Sequence, residues 1–70
     1  MNVRQGILLA TGEGERIGNP LRSHMSIMLF VKRMCGAEGY RIHNGFVLAL
    51  RWDSEGNEIV LERFLITAAP

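Results

Sequence analysis

YRIHNGFVLALRWDSEGNEIVLERFLIT, residues 40–67, contains the clearest strand pattern of this chain. Apolar and polar residues alternate along both of its halves, which is the period of a half-buried β-strand. Between the halves, DSEG at residues 53–56 suits a type I turn followed by a left-handed glycine, a common hairpin loop. We therefore predict a strand over Tyr40–Trp52 and an antiparallel return strand over Glu58–Thr67.

The turn also predicts the register of these two strands. It places Trp52 opposite Glu58, and regular pairing from there places Phe46 opposite Phe64. In this register neither face of the hairpin is wholly polar. Because one helix cannot cover both faces, the pattern indicates that a partner covers the face that the helix leaves open.

The middle of the chain predicts a helix over Pro20–Cys35. Asn19 can accept hydrogen bonds from the first free N–H groups, and proline fits the first helical position. Gly36 is a typical helix end. Apolar residues cover most of the circumference, as in a helix buried on more than one side. A buried strand over Ser26–Lys32 is the competing interpretation, because short apolar runs are ambiguous.

A further candidate strand, Val3–Thr11, completes the predicted fold. Its apolar residues do not alternate, which is typical of a strand buried on both faces. The chain then has the order β-α-β-β, an α+β fold with one helix packed on a small three-stranded sheet. We expect Val3–Thr11 and Tyr40–Trp52 to pair in parallel through a right-handed crossover. An all-β meander is the alternative fold.

The composition predicts a single small domain, residues 1–70, that needs a partner. A domain of this length has a small core and marginal stability. Cys35 is the only cysteine, so no intrachain disulfide can form. His24, His43 and Cys35 lack metal-ligand spacing, so we expect no metal or other cofactor. The apolar fraction of 47% exceeds what one small core can bury, and this predicts a homodimer.

GEGERIGNP, residues 12–20, is a glycine-rich segment that follows an apolar run. It resembles the N-terminal signature of nucleotidyltransferases that act on sugar phosphates or molybdopterin: an apolar strand, then Gly-x-Gly-x-Arg-apolar-Gly-x-Pro-Lys. The resemblance implies that Gly12, Gly14 and Arg16 hold the phosphates of a nucleotide. Asn19, at the predicted helix start, is a fourth candidate ligand-binding residue.

The chain departs from that signature in two ways. Leu21 stands where the family has its lysine, and 70 residues leave no room for the family's larger domain. Glu13 and Glu15 also place negative charge beside the loop, which repels an anion. A connecting loop is therefore the main interpretation of residues 12–18, and a nucleotide-like or phosphate ligand is the alternative.

Three of the four methionines lie on the predicted helix. Methionine fills irregular gaps in a core and also suits adaptable binding surfaces. We interpret these methionines mainly as core and dimer contacts, with a docking surface for another protein as the alternative. The candidate interface residues are Met25, Met28, Phe30, Val31, Met34 and Trp52.

Single-stranded nucleic acid is another possible ligand, because Arg41, Arg51 and His43 lie near Tyr40 and Trp52. A sheet that stacks bases needs its aromatic and basic residues on the same face. One continuous strand would separate them onto opposite faces. With a net charge of +1 as well, nucleic acid is not an expected partner.

The functional prediction is a non-enzymatic interaction protein that binds another protein and regulates or inhibits it. Neither histidine has a serine, cysteine or carboxylate in a recognisable catalytic relation. Cys35 lies at the helix end that disfavours a thiolate. No apolar run reaches the length of about 20 residues that spans a bilayer, so no membrane partner is expected. One free cysteine favours a cytoplasmic setting.

Overall fold

The computed structural model describes residues 6–11 and 16–67, which form one helix and five strands. The strands make a single antiparallel sheet in the order β2-β1-β5-β4-β3. The helix packs on one face of this sheet. In chain order the elements are β1 (Ile7–Ala10), β2 (Arg16–Leu21), α1 (His24–Cys35), β3 (Gly39–His43), β4 (Phe46–Trp52) and β5 (Glu58–Thr67).

The predicted α+β sheet of three strands is wrong. β1 lies between β2 and β5 and is antiparallel to both, so the expected parallel crossover is absent from the described sheet. β3, β4 and β5 follow one another as a meander, so the all-β alternative fits in part. Local patterns cannot select among distant strand partners, because any apolar strand can extend the same sheet edge.

The predicted strand Tyr40–Trp52 is two strands joined by a tight turn at Asn44 and Gly45. Both turn residues have positive φ, 50° and 82°, which is what a type I′ hairpin turn requires. The apolar–polar alternation of the sequence runs through the turn unchanged, so it hides the reversal of the chain. The turn nevertheless exchanges the faces: His43 lies opposite Phe46, and Ile42 lies opposite Val47.

The helix begins at His24 and not at Pro20. Ser23 is its N-cap: the Ser23 Oγ accepts a hydrogen bond from the Ser26 N–H at 3.1 Å, and the Ser26 Oγ accepts one from the Ser23 N–H at 3.1 Å. This reciprocal capping box satisfies two N–H groups at the helix start. Pro20 lies instead in β2, an edge strand in which a missing N–H is tolerated.

The predicted end of the helix is confirmed. Gly36 adopts the left-handed conformation, with φ of 68°, and its N–H donates to the Lys32 carbonyl at 2.9 Å. Such a cap satisfies carbonyls of the last turn and favours glycine, which has no Cβ to clash. The competing strand over Ser26–Lys32 is therefore wrong.

The β4–β5 register agrees with the prediction only near the turn. Pairing is confirmed from the hairpin loop as far as Leu50 opposite Val60. A bulge then adds one residue to β5, so Phe46 lies opposite Leu65 and not opposite Phe64. The bulge turns Phe64 towards α1, where it is buried in the core.

The hydrophobic core lies between α1 and the sheet. The Phe30 ring on the helix meets the Phe64 ring edge to face, with centroids 5.2 Å apart. Such contacts stabilise a small core beyond the burial of apolar area. The buried core residues are Ile7, Leu9, Ile27, Val31, Ala37, Val47, Ala49 and Phe64.

Candidate functional site

A groove of about 340 Å³ lies between the helix and the edge strand β2. We call it the α1–β2 groove. It lies beside the segment that contains most of the predicted interface residues. Its lining residues are Asn19, Leu21, Ser26, Leu29, Phe30, Arg33 and Met34.

The inner part of the α1–β2 groove is apolar, and so is much of its rim. Leu21 and Phe30 are half-buried and pack against the core. Leu29 and Met34 remain 43% and 52% exposed. Met25, 64% exposed, precedes Leu29 by one helical turn, so the two side chains adjoin on the helix surface. The groove is therefore part of a longer apolar surface on α1.

The charged residues of the segment that forms this surface are all basic, and Glu62 of β5 lies at its far end, beside Met34 and Cys35. Residues 16–37 contain no aspartate or glutamate. Arg22, Lys32 and Arg33 are exposed, and none of them forms an ion pair with another described residue. Lys32 and Arg33 lie in the last turn of α1, where cations complement the helix dipole. The surface thus combines exposed apolar side chains with uncompensated positive charge.

The opposite face of the sheet has no described helix over it. Its side chains nevertheless bury Leu50, which is 2% exposed. On the same face the Trp52 ring lies against Gly39, the β3 residue opposite Leu50: a Cβ at residue 39 would be 2.9 Å from Trp52 Cη2. Trp52, Val60 and Leu65 remain partly exposed on this face. The domain therefore has two apolar surfaces, on opposite sides.

An ion pair also crosses the face opposite the helix. Nη2 of Arg41 on β3 lies 2.7 Å from Oε1 of Glu58 on β5, and the two strands flank Leu50 on β4. The hydrogen bond from Arg41 lowers the pKa of Glu58, and the same bond raises the pKa of Arg41. Because both groups are exposed to solvent, the pair contributes little to stability. It neutralises this part of the face.

The candidate phosphate-binding residues do not form one described site. Gly12 and Gly14 lie outside the described residues, and Arg16 is the first residue of β2. Asn19 is exposed and lines the α1–β2 groove. The glycine segment leads into a strand, so it is not followed directly by a helix N-terminus, whose N–H groups would bind phosphate.

The candidate interface residues lie on both sides of the domain and in its core. Met25 and Met34 are exposed on α1, whereas Trp52 is exposed on the opposite face of the sheet. Met28 and Phe30 are half-buried. Val31 is fully buried at 0% exposure and contributes to the core.

The predicted separation of the aromatic and basic residues onto opposite faces is wrong. Because the chain reverses at residues 44–45, Arg41 pairs with Leu48 and His43 pairs with Phe46. Residues that are directly opposite in a sheet share a face. Arg41 and His43 therefore lie on the face that carries Phe46 and Trp52, and only the charge balance still argues against nucleic acid.

His24 and Cys35, which do not line the α1–β2 groove, have surroundings typical of structural side chains. The His24 Nδ1 lies 2.7 Å from the Tyr40 hydroxyl, a hydrogen bond that ties α1 to β3. Burial, and then the charge of Glu62, raises the pKa of the Cys35 thiol. Among residues 6–11 and 16–67, no group of three or more His, Cys, Asp or Glu residues could hold a metal ion.

No protein-family model, curated protein or solved structure matches this chain. Within the described part of the chain, the helix is too short to cross a membrane. The features of the described residues that bear on function are the two apolar surfaces and the charges beside them. The sequence does not predict the contacts of Gly39 and Arg63 or the Arg41–Glu58 ion pair. Strand pairing brings these residues next to their partners.

Proposed function

We propose that this chain is a small non-enzymatic module that binds another protein through the α1–β2 groove. The observation that carries the proposal is the exposure of Leu29 and Met34 around an open apolar groove. Exposed apolar surface of this kind, bordered by polar groups, is typical of protein docking sites. Methionine also adapts its shape to a partner at low cost.

The charges indicate which kind of partner fits. Arg33 lines the groove, and Arg22 and Lys32 lie on the same segment without a carboxylate among residues 16–37. Opposite charge across an interface speeds association and selects against other partners. We therefore propose a partner segment with apolar side chains flanked by aspartate or glutamate.

A second copy of this chain is a poorer occupant of the same groove. In a symmetric dimer the same surface meets itself, so the arginines and lysine of one α1 would approach those of the other. Like charges brought together in this way weaken an interface. The homodimer that the composition predicts would then use the opposite face of the sheet, around Trp52.

Selection from a random peptide library displayed on phage tests the proposal. We expect the wild-type protein to enrich peptides that combine large apolar residues with acidic ones. Leu29→Lys should abolish their binding, because it places a charge on the apolar rim of the groove. Leu65→Lys is the matched control, since Leu65 is exposed on the other face of the sheet.

Thermal unfolding of both variants establishes that each is folded before its binding is compared. The proposal is overturned if the wild-type protein enriches no peptide family. It is also overturned if the selected peptides bind Leu29→Lys as tightly as they bind the wild-type protein. Loss of binding in Leu65→Lys alone would move the docking site to the other side of the domain.

A further inference from the structure

A second cavity lies on the sheet face away from α1, beside the β3–β4 turn. Its volume is about 450 Å³, which is within the range of small-molecule sites. We call it the sheet-face pocket. It shares no residue with the α1–β2 groove. Its lining residues are His43, Asn44, Phe46, Leu48, Val60 and Arg63.

Strand pairing assembles this pocket from three strands. His43 lies opposite Phe46, and Leu48 lies opposite Arg63. Side chains of directly opposite residues adjoin on one face of a sheet. Leu48 is only 6% exposed and forms the floor, whereas Val60 is more exposed at the side. The result is an apolar floor with polar groups around it.

Arg63 supplies an uncompensated positive charge to the sheet-face pocket. Its guanidinium carbon lies 5.3 Å from the centroid of the Phe46 ring. This cation–π contact orients the guanidinium without neutralising it. Arg63 forms no ion pair within the described part of the chain, and none of the lining residues is acidic. Arg41, on the same face, differs because Glu58 neutralises it.

The turn side of the pocket adds two polar side chains. The Asn44 Nδ2 lies 3.1 Å from the His43 Nε2, so the two side chains form a hydrogen-bonded rim. A few well-placed polar groups beside an apolar floor are what fix the orientation of a small ligand. The pocket thus offers one cation, one polar edge and one apolar surface.

We propose that the sheet-face pocket binds a small aromatic carboxylate. Its ring would lie against Leu48 and Val60, and its carboxylate would pair with the guanidinium of Arg63. The planar fork of arginine matches a carboxylate with two parallel hydrogen bonds. One uncompensated cation balances a single negative charge, so a monoanion fits better than a phosphate dianion.

The same count of charges argues against single-stranded nucleic acid at this site. Binding to a nucleic-acid strand depends on several phosphate contacts made by lysine and arginine. On this face Arg41 is already paired with Glu58. Among the residues that line the pocket, Arg63 is the one arginine or lysine. Its guanidinium also covers one side of the Phe46 ring, which is then not free to stack on a base.

Titration of the ¹⁵N-labelled protein with a naphthalene carboxylate tests the proposal. We expect saturable shifts of the amide signals around His43, Leu48 and Arg63. Arg63→Gln should weaken binding by about tenfold or more, because it removes the charge-assisted pair. Arg51→Gln is the matched control, since Arg51 is exposed on the other face of β4. The neutral naphthalene methanol should bind much more weakly than the carboxylate.

Absence of saturable binding to the wild-type protein would overturn the proposal. So would equal affinity of Arg63→Gln and the wild-type protein, or shifts confined to the α1–β2 groove. A single-stranded oligonucleotide that binds more tightly than the carboxylate, and loses affinity in Arg63→Gln, would assign the face to nucleic acid instead. None of these results bears on the peptide selection, because the two sites share no residue.

Discussion

Gly39 and Trp52 form a contact that depends on the absence of a side chain. The Trp52 ring occupies the space in which a Cβ of residue 39 would lie, 2.9 Å from its nearest carbon. The ring therefore lies over Gly39, the β3 residue opposite Leu50. A glycine in a strand often marks such an approach. Leu50, opposite this contact, is 2% exposed on a face that no described helix covers.

Asp53 predicts how stability depends on pH. Its Oδ1 accepts hydrogen bonds from the N–H groups of Asn57 and Glu55, each at 2.9 Å. These bonds, that from Asn57 first, lower the pKa of Asp53 in the folded state. A carboxyl group with a lowered folded pKa contributes stability above its unfolded pKa, and this stability is lost as pH falls towards the folded value.

We therefore expect the free energy of unfolding to fall as pH decreases below about 5. Asp53→Asn should show a smaller fall, because asparagine does not titrate. Urea denaturation at a series of pH values measures how steeply the free energy of unfolding of each protein falls as the pH decreases. An equal fall for Asp53→Asn and the wild-type protein would contradict the contribution of Asp53. Glu58, whose pKa is also lowered, should contribute to the slope that remains.

At the scale of elements, the β3–β4 hairpin brings Arg41 and His43 onto the face that carries Phe46. The hairpin depends on positive φ at both Asn44 and Gly45. Asparagine tolerates this conformation better than most residues, and glycine adopts it freely. The short turn thus decides which side chains line the sheet-face pocket.

Gly45→Ala should lower the free energy of unfolding by about 1 to 2 kcal/mol, because alanine is strained at positive φ. Asn44→Gly is the control: glycine adopts the observed φ of 50° without strain, so its stability should change far less. Chemical denaturation of both variants provides the comparison. A Gly45→Ala variant as stable as the wild-type protein would show that the turn does not need this conformation.

At the scale of the whole molecule, the domain has apolar surface on two opposite sides. Met25 and Met34 are exposed on the helix side, and Trp52 and Val60 are exposed on the sheet side. The helix side carries unpaired cations, whereas the Arg41–Glu58 pair neutralises part of the sheet side. We propose that an acidic partner binds the helix side, and that self-association uses the part of the sheet side around Trp52, which does not line the sheet-face pocket.

We therefore expect a homodimer at micromolar concentration that Trp52→Ala weakens and Met25→Ala does not. Removing an exposed aromatic from an interface costs more than removing a side chain outside it. Sedimentation equilibrium measures the dimer fraction of each variant, and circular dichroism shows whether each is folded. A monomeric wild-type protein would refute the predicted dimer. A loss of dimer in Met25→Ala alone would move its interface to α1.

Local signals in the sequence determined the elements whose causes lie within a few residues. The helix end at Gly36 and the β4–β5 turn were predicted correctly, since a glycine at positive φ needs no distant partner. The helix start was placed wrongly because Asn19-Pro20 and Ser23 both suit a start. The structure distinguishes the two candidate starts, because residues 19–20 lie in an edge strand and Ser23 is the N-cap.

Tertiary structure alone decided the sheet order, the bulge in β5 and the composition of both candidate sites. One of the two partners of β1 is β5, nearly the whole chain away, and no local pattern encodes that pairing. The bulge moves Phe64 into the core, and the turn at residues 44–45 moves Arg41 to the aromatic face. Each of these outcomes depends on which strands pair and in which register. A shift of one residue in the register moves every side chain of a strand to the other face of the sheet.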